Sequence, residues 1–111
     1  MQIIIIMKIA EFKHLLKVRF KKIEDTFTVK QKEYANEKDV FENIKNGVGL
    51  SVFNTEPEQV AWSYAAKHLE SIMSILESLP EEKPSEELIN EKIGDAINYL
   101  IIIEGLLKER L

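Results

Sequence analysis

The sequence predicts an all-α fold: an antiparallel bundle of about three main helices, plus an ordered loop that carries one short helical turn. Three observations predict it. From Glu87 to Leu107 the chain reads ELINEKIGDAINYLIIIEGLL, apolar on nearly every side and interrupted only by Glu91, Asp95 and Asn98 along one line. Elsewhere apolar residues recur at steps of three and four, the spacing of one helix face. Finally, the 111 residues hold only three prolines and four glycines, so helices have few places to break.

That length suits one domain with a single core, residues 1–111, with 1–7 as an added tail. There is no cysteine, which excludes disulfides, zinc–thiolate sites and thiol nucleophiles and suits a reducing compartment. The net charge of −4 conceals an asymmetry. Residues 1–38 hold nine Lys/Arg against five Asp/Glu, net +4, while residues 39–111 hold six against fourteen, net −8. A basic first helix is thus expected beside acidic ones, within the chain or in a neighbouring subunit. Aromatic residues do not interleave with the lysines, which argues against a nucleic-acid surface. The opening MQIIIIM is too short to span a membrane and lacks the cleavage site of a signal peptide, so no membrane association is expected. The isoleucine run reads either as a short added strand or as a frayed tail.

The first helix is expected from Lys8 to about Tyr34, where Phe12, Leu16, Phe20, Ile23 and Phe27 form a stripe that Leu15 and Val18 widen. Thr26, Thr28 and Val29 are β-branched and lower helix propensity, so a break or kink is expected there. Residues 35–55 are rich in turn-formers (Asn36, Asn43, Asn46, Gly47, Gly49, Asn54), with Phe41, Ile44, Leu50, Val52 and Phe53 to anchor them. One helical turn is expected near Val40 to Lys45. A second helix should start with Thr55 as N-cap, Pro57 in the first turn and Glu58 completing a capping box, and stop at LPEEKP. Ser85 should cap the last helix, with Glu86 and Glu87 favourable to its dipole. A short connector makes these two helices antiparallel neighbours.

Glu91, Asp95 and Asn98 stand at i, i+4 and i+7 and so share a face. On the partner helix Lys67, Glu70, Ser71 and Ser74 form the comparable polar strip. Carboxylates from two facing helices can hold Mg²⁺ or Mn²⁺; acids among lysines can equally form salt bridges or a solvated surface. His68 reads as an interface side chain with one bonded ring nitrogen, or else a ligand. Trp62 and Tyr64 read as packing, or as a platform for a base. Tyr34 and Asp39 either cover a nucleotide or anchor the loop. Gly47 and Gly49 lack the lysine and hydroxyl of a phosphate loop, and no serine has a paired base. Gly94 and Gly105 suggest close helix–helix approach.

YANEKDVFENI, AWSYAAKHLESI and EKIGDAINYL together resemble the MazG-like all-α NTP pyrophosphatase superfamily, and within it the short phage-associated branch of nucleotide modification associated domain proteins. The matching positions are Lys30, Glu33, Tyr34, Phe41 and Asn43, then Lys67, then Glu91, Asp95, Asn98 and Tyr99. The resemblance implies a nucleotide-handling protein of a bacterial cytoplasm, in its active form an Mg²⁺-dependent (d)NTP pyrophosphohydrolase. Glu70, Glu91 and Asp95 would be the catalytic and metal-holding acids, with Lys67, Lys92, Asn98 and Tyr34 contacting the nucleotide. The sequence departs from the catalytic pattern at Lys67-x-x-Glu70 and Lys92-x-x-Asp95, where a lysine stands at the first place of each acidic pair. An ammonium binds phosphate but not a metal ion. The alternative is a non-enzymatic phage-type helical oligomer that binds a host protein. Both expectations include a homo-oligomer, dimer or tetramer, because three helices cannot cover a last helix that is apolar all round.

Overall fold

The computed structural model describes residues 5–33, 39–50 and 53–111. Regular structure among them is helical throughout: α1 (Ile9–Glu33), α2 (Glu42–Lys45), α3 (Pro57–Glu77) and α4 (Glu86–Glu109). The chain divides into two compact units, Met1–Glu33 and Tyr34–Leu111.

The first unit is α1, preceded by Ile5–Lys8 without regular structure. The expected break near Thr26 does not occur. Thr26 Oγ1 donates to the Lys22 carbonyl at 2.9 Å, so the hydroxyl is satisfied inside the helix rather than competing with it. Lys21 and Asp25 add an exposed pair one turn apart. Along the predicted stripe, Leu16, Ile23 and Phe27 are half-buried, while Phe12 and Phe20 are exposed.

In the second unit, α2 forms where a helical turn was expected. The Asp39 carboxylate accepts the Phe41 N–H at 2.9 Å and pairs with Lys45, which also reaches Glu109 at 2.9 Å. The Lys45 ammonium holds the Asp39 carboxyl below its ordinary value, and the two carboxylates raise Lys45 in return. The loop is pressed onto the hairpin at two glycines. A Cβ on Gly47 would stand 2.7 Å from Val60 Cγ1, and a Cβ on Gly105 would stand 2.4 Å from the tip of the Phe41 ring. Gly105 therefore admits the loop rather than a neighbouring helix. Gly49, at φ 86°, supplies the left-handed turn between.

The capping box of α3 lies one residue beyond the expected place. Glu56 is the N-cap, and Gln59 Oε1 accepts from the backbone N–H groups of Glu56 at 3.2 Å and Thr55 at 3.0 Å. Pro57 stands in the first turn, where no N–H is needed. Glu58 is recruited elsewhere: Arg110, just beyond α4, pairs with Glu58 and with Glu56 at 2.7 Å. That guanidinium depresses the Glu58 carboxyl. Ser85 caps α4 as expected, its Oγ accepting the Leu88 N–H at 3.1 Å.

Helices α3 and α4 form an antiparallel hairpin, with Tyr64 against Tyr99 and Glu58 against Arg110 fixing the direction. Its interior holds Val60, Ala61 and Ala65 from α3 and Gly94, Ala96, Ile102 and Leu106 from α4. Small residues at these places let the backbones approach closely. Leu106, only 2% exposed, is the largest side chain fully enclosed there.

Candidate functional site between α3 and α4

Midway along the hairpin the facing residues are polar and aromatic. His68 stacks on Tyr99 with ring centroids 5.4 Å apart and planes 19° apart, and Tyr64 leans on the same ring at 5.7 Å. His68 Nδ1 lies 3.6 Å from Asp95 Oδ2. Lys67 Nζ stands 5.9 Å from the centre of the Tyr64 ring. Burial, then the Asp95 charge, raises the Tyr99 phenol above its ordinary value of 10.0. Of the alternatives the sequence leaves open, His68 and Tyr64 thus take interhelical packing roles. The Oδ1 atom of Asn98 is buried and has no donor among the described residues.

Towards the connector, residues of α3, the connector and α4 line a cavity of about 400 Å³. Its polar lining comprises Ser71 and Ser74 from α3, Ser78 at its C-cap, Glu82 and Lys83 from the connector, Ser85 at the N-cap of α4, and Lys92 from α4. Ser71, Ser74 and Ser78 stand at i, i+3 and i+7, so their hydroxyls line one face. Each donates to a carbonyl one turn back, Ser71 to Lys67 and Ser74 to Glu70 at 3.2 Å, Ser78 to Ser74 at 3.0 Å. Their lone pairs remain available, and each proton can be re-aimed at a ligand. Lys92 lies 3.8 Å from Glu91, and its side chain is 24% exposed. The Ser–x–x–Ser–x–x–x–Ser spacing was visible in the sequence, but only the meeting of α3 with the connector turns it into a wall.

The acids expected to hold a metal are not gathered. Among the described residues there is no group of three or more His, Cys, Asp or Glu placed to hold an ion. Glu70 is exposed, about half a turn around α3 from the inward-facing His68. Glu91 is exposed beside Lys92, and Asp95 is turned to His68. Glu91 and Asp95 lie one turn apart on α4, and Glu70 stands on the exposed side of α3. Lys67 and Lys92 are separated too, the first over Tyr64 and the second on the cavity wall. Tyr34, and Lys30 and Glu33 as side chains, lie outside the described residues, as does the start of the isoleucine run. No family model, curated protein or solved structure matches the chain.

Proposed function

We propose that the chain is a nucleotide-handling protein that takes the phosphate end of its ligand into the cavity between α3, the connector and α4. One observation carries this reading. Lys92, a nucleotide contact that the family resemblance implies, lines that cavity together with Lys83 and a row of three serine hydroxyls. Two ammonium groups are donors for phosphate oxygens, and the serine hydroxyls can join them by exchanging a backbone carbonyl for the ligand; the volume of about 400 Å³ falls in the range of small-ligand pockets. Glu82 on the same wall is an acceptor suited to a sugar hydroxyl. Mg²⁺ would enter with the nucleotide, and no hydrolytic step is assigned to Glu70, Glu91 and Asp95, which do not fit one ion within one chain.

Isothermal titration with nucleoside mono-, di- and triphosphates, with and without Mg²⁺, tests the proposal, with pyrophosphate release followed in parallel. Binding is expected, weakened about tenfold in Lys92→Ala, the loss of one charge-assisted contact. If no nucleotide binds, the reading fails. The second reading, a helical oligomer that binds a host protein, is favoured by the apolar side chains that the hairpin leaves exposed. It gains if nucleotides fail to bind.

A further inference from the structure

The ionisable groups that line the cavity are few. Lys83 and Lys92 supply two positive charges and Glu82 one negative charge, a net of +1. Lys83 is exposed, whereas Lys92 is partly enclosed, so water and salt screen the Lys92 charge less. The chain around these groups is acidic. From Glu81 to Glu87 it reads EEKPSEE, four carboxylates to one ammonium, and all four acids are exposed. Glu81 adjoins Glu82, Glu86 and Glu87 follow Ser85 in the first turn of α4, and Glu91 stands beside Lys92. An anion that extends beyond the two lysines along the connector therefore meets like charge.

These charges set how much phosphate the cavity can take. A phosphomonoester carries about −2 at neutral pH, because its second pKa is near 6. Against a lining of +1 it is nearly balanced. Each further phosphoryl group adds another negative charge, and the lining holds no third cation to meet it. Like charges in a partly enclosed site repel more strongly than they do in bulk water. Size acts in the same direction. A volume of about 400 Å³ lies towards the small end of the roughly 300–1,000 Å³ of ligand sites, room for a phosphate and a sugar rather than for an extended polyphosphate. Ile75, Pro84 and Leu88 give the lining an apolar part on which the C–H edges of a nucleoside can rest.

We infer that the cavity selects a sugar phosphomonoester dianion, and that its ligand is a nucleoside 5′-monophosphate rather than a di- or triphosphate. The inference rests on the nucleotide reading above and adds the class of nucleotide. Lys92 and Lys83 hold the phosphate between them, and Glu82 accepts from a sugar hydroxyl. The acids of EEKPSEE turn longer phosphate chains away.

Isothermal titration of the full chain with the 5′-mono-, di- and triphosphate of one nucleoside tests it. Low salt and the absence of Mg²⁺ let phosphate charge be read directly. The monophosphate is expected to bind tightest, at least ~10-fold more tightly than the triphosphate, with the diphosphate between. Ribose 5-phosphate and inorganic phosphate carry the same dianion without the nucleoside, and both should bind more weakly than the monophosphate. A Glu81→Gln, Glu86→Gln double variant removes two exposed acids outside the lining, with helix content by circular dichroism as its control. It should narrow the gap between mono- and triphosphate by about threefold, chiefly by strengthening triphosphate binding. Triphosphate binding tightest in the wild type, or a gap unchanged in the double variant, would overturn the inference and leave the nucleotide reading in place. Ribose 5-phosphate binding more tightly than every nucleotide, or no binding of any nucleotide, would overturn that reading and the inference with it.

Discussion

Replacing Gly105 by alanine sets two known effects against each other. Within a helix, alanine is favoured over glycine by ~0.8–1.0 kcal/mol, so an unobstructed Gly105→Ala would stabilise the protein. Here the new Cβ would lie 2.4 Å from the end of the Phe41 ring and 3.1 Å from its flank. Ordinary carbon contacts are roughly 3.5–4.0 Å, so the ring has to retreat by about 1 Å. Phe41 is attached to a loop pinned by Asp39 and Lys45 on one side and Gly47 on the other, which leaves it little room to give way. Overpacking of this kind costs about 1–3 kcal/mol, which exceeds the propensity gain. The net expectation is a loss of ~1 kcal/mol in urea unfolding at fixed chain concentration, with the m-value unchanged. In a Phe41→Ala background the obstruction is gone, and the same Gly105→Ala should stabilise by ~1 kcal/mol. The change of sign is the test. Equal effects in both backgrounds would refute the argument that Gly105 exists to admit the Phe41 ring.

Two further expectations follow from side chains at the helix ends. Ser85→Ala removes the acceptor for the Leu88 N–H and should cost ~1 kcal/mol in the same unfolding assay, while Ser85→Gly costs a few tenths. The Asp39 and Glu58 carboxyls are held below their ordinary values of 3.8 and 4.5 by Lys45 and Arg110. Their stabilisation is thus complete above those values and is lost as pH falls through the depressed folded ones. Acid unfolding should begin at higher pH in the wild type than in a Glu58→Gln variant matched for neutral stability; identical acid midpoints would remove Glu58 from the account.

What the sequence revealed was mostly local. The Ser85 cap could be read because a cap and its N–H lie within four residues. The displacement from Thr55 to Glu56 could not be, since Thr55 is the better N-cap by residue type and Glu58 and Gln59 both suit the reciprocal place. Arg110, more than 50 residues away, settles the matter by drawing Glu58 to itself. The continuity of α1 through Thr26 turned on one hydroxyl finding the Lys22 carbonyl, which propensity scales average away. For the candidate site, the shared face of Glu91, Asp95 and Asn98 followed from periodicity alone. Whether Glu70 faced them depended on the rotation of α3, fixed by the contacts of Ala61, Ala65 and His68. The apolar character of α4 was likewise visible, but its three uses were not: one side meets α3, one receives Phe41 and one is open.

The bond between Arg110 and the start of α3 makes the hairpin a closed ring. At one end the helices are joined covalently through the connector, and at the other by a guanidinium gripping Glu56 and Glu58. Helix pairs commonly lose their order from the free tips inwards, because the terminal turns have least to hold them. In a ring neither tip is free, so amide hydrogens of the last turn of α4 should exchange about as slowly as those near Leu106. Arg110→Ala would then release that turn first, and exchange there would accelerate while the middle of the hairpin stayed protected.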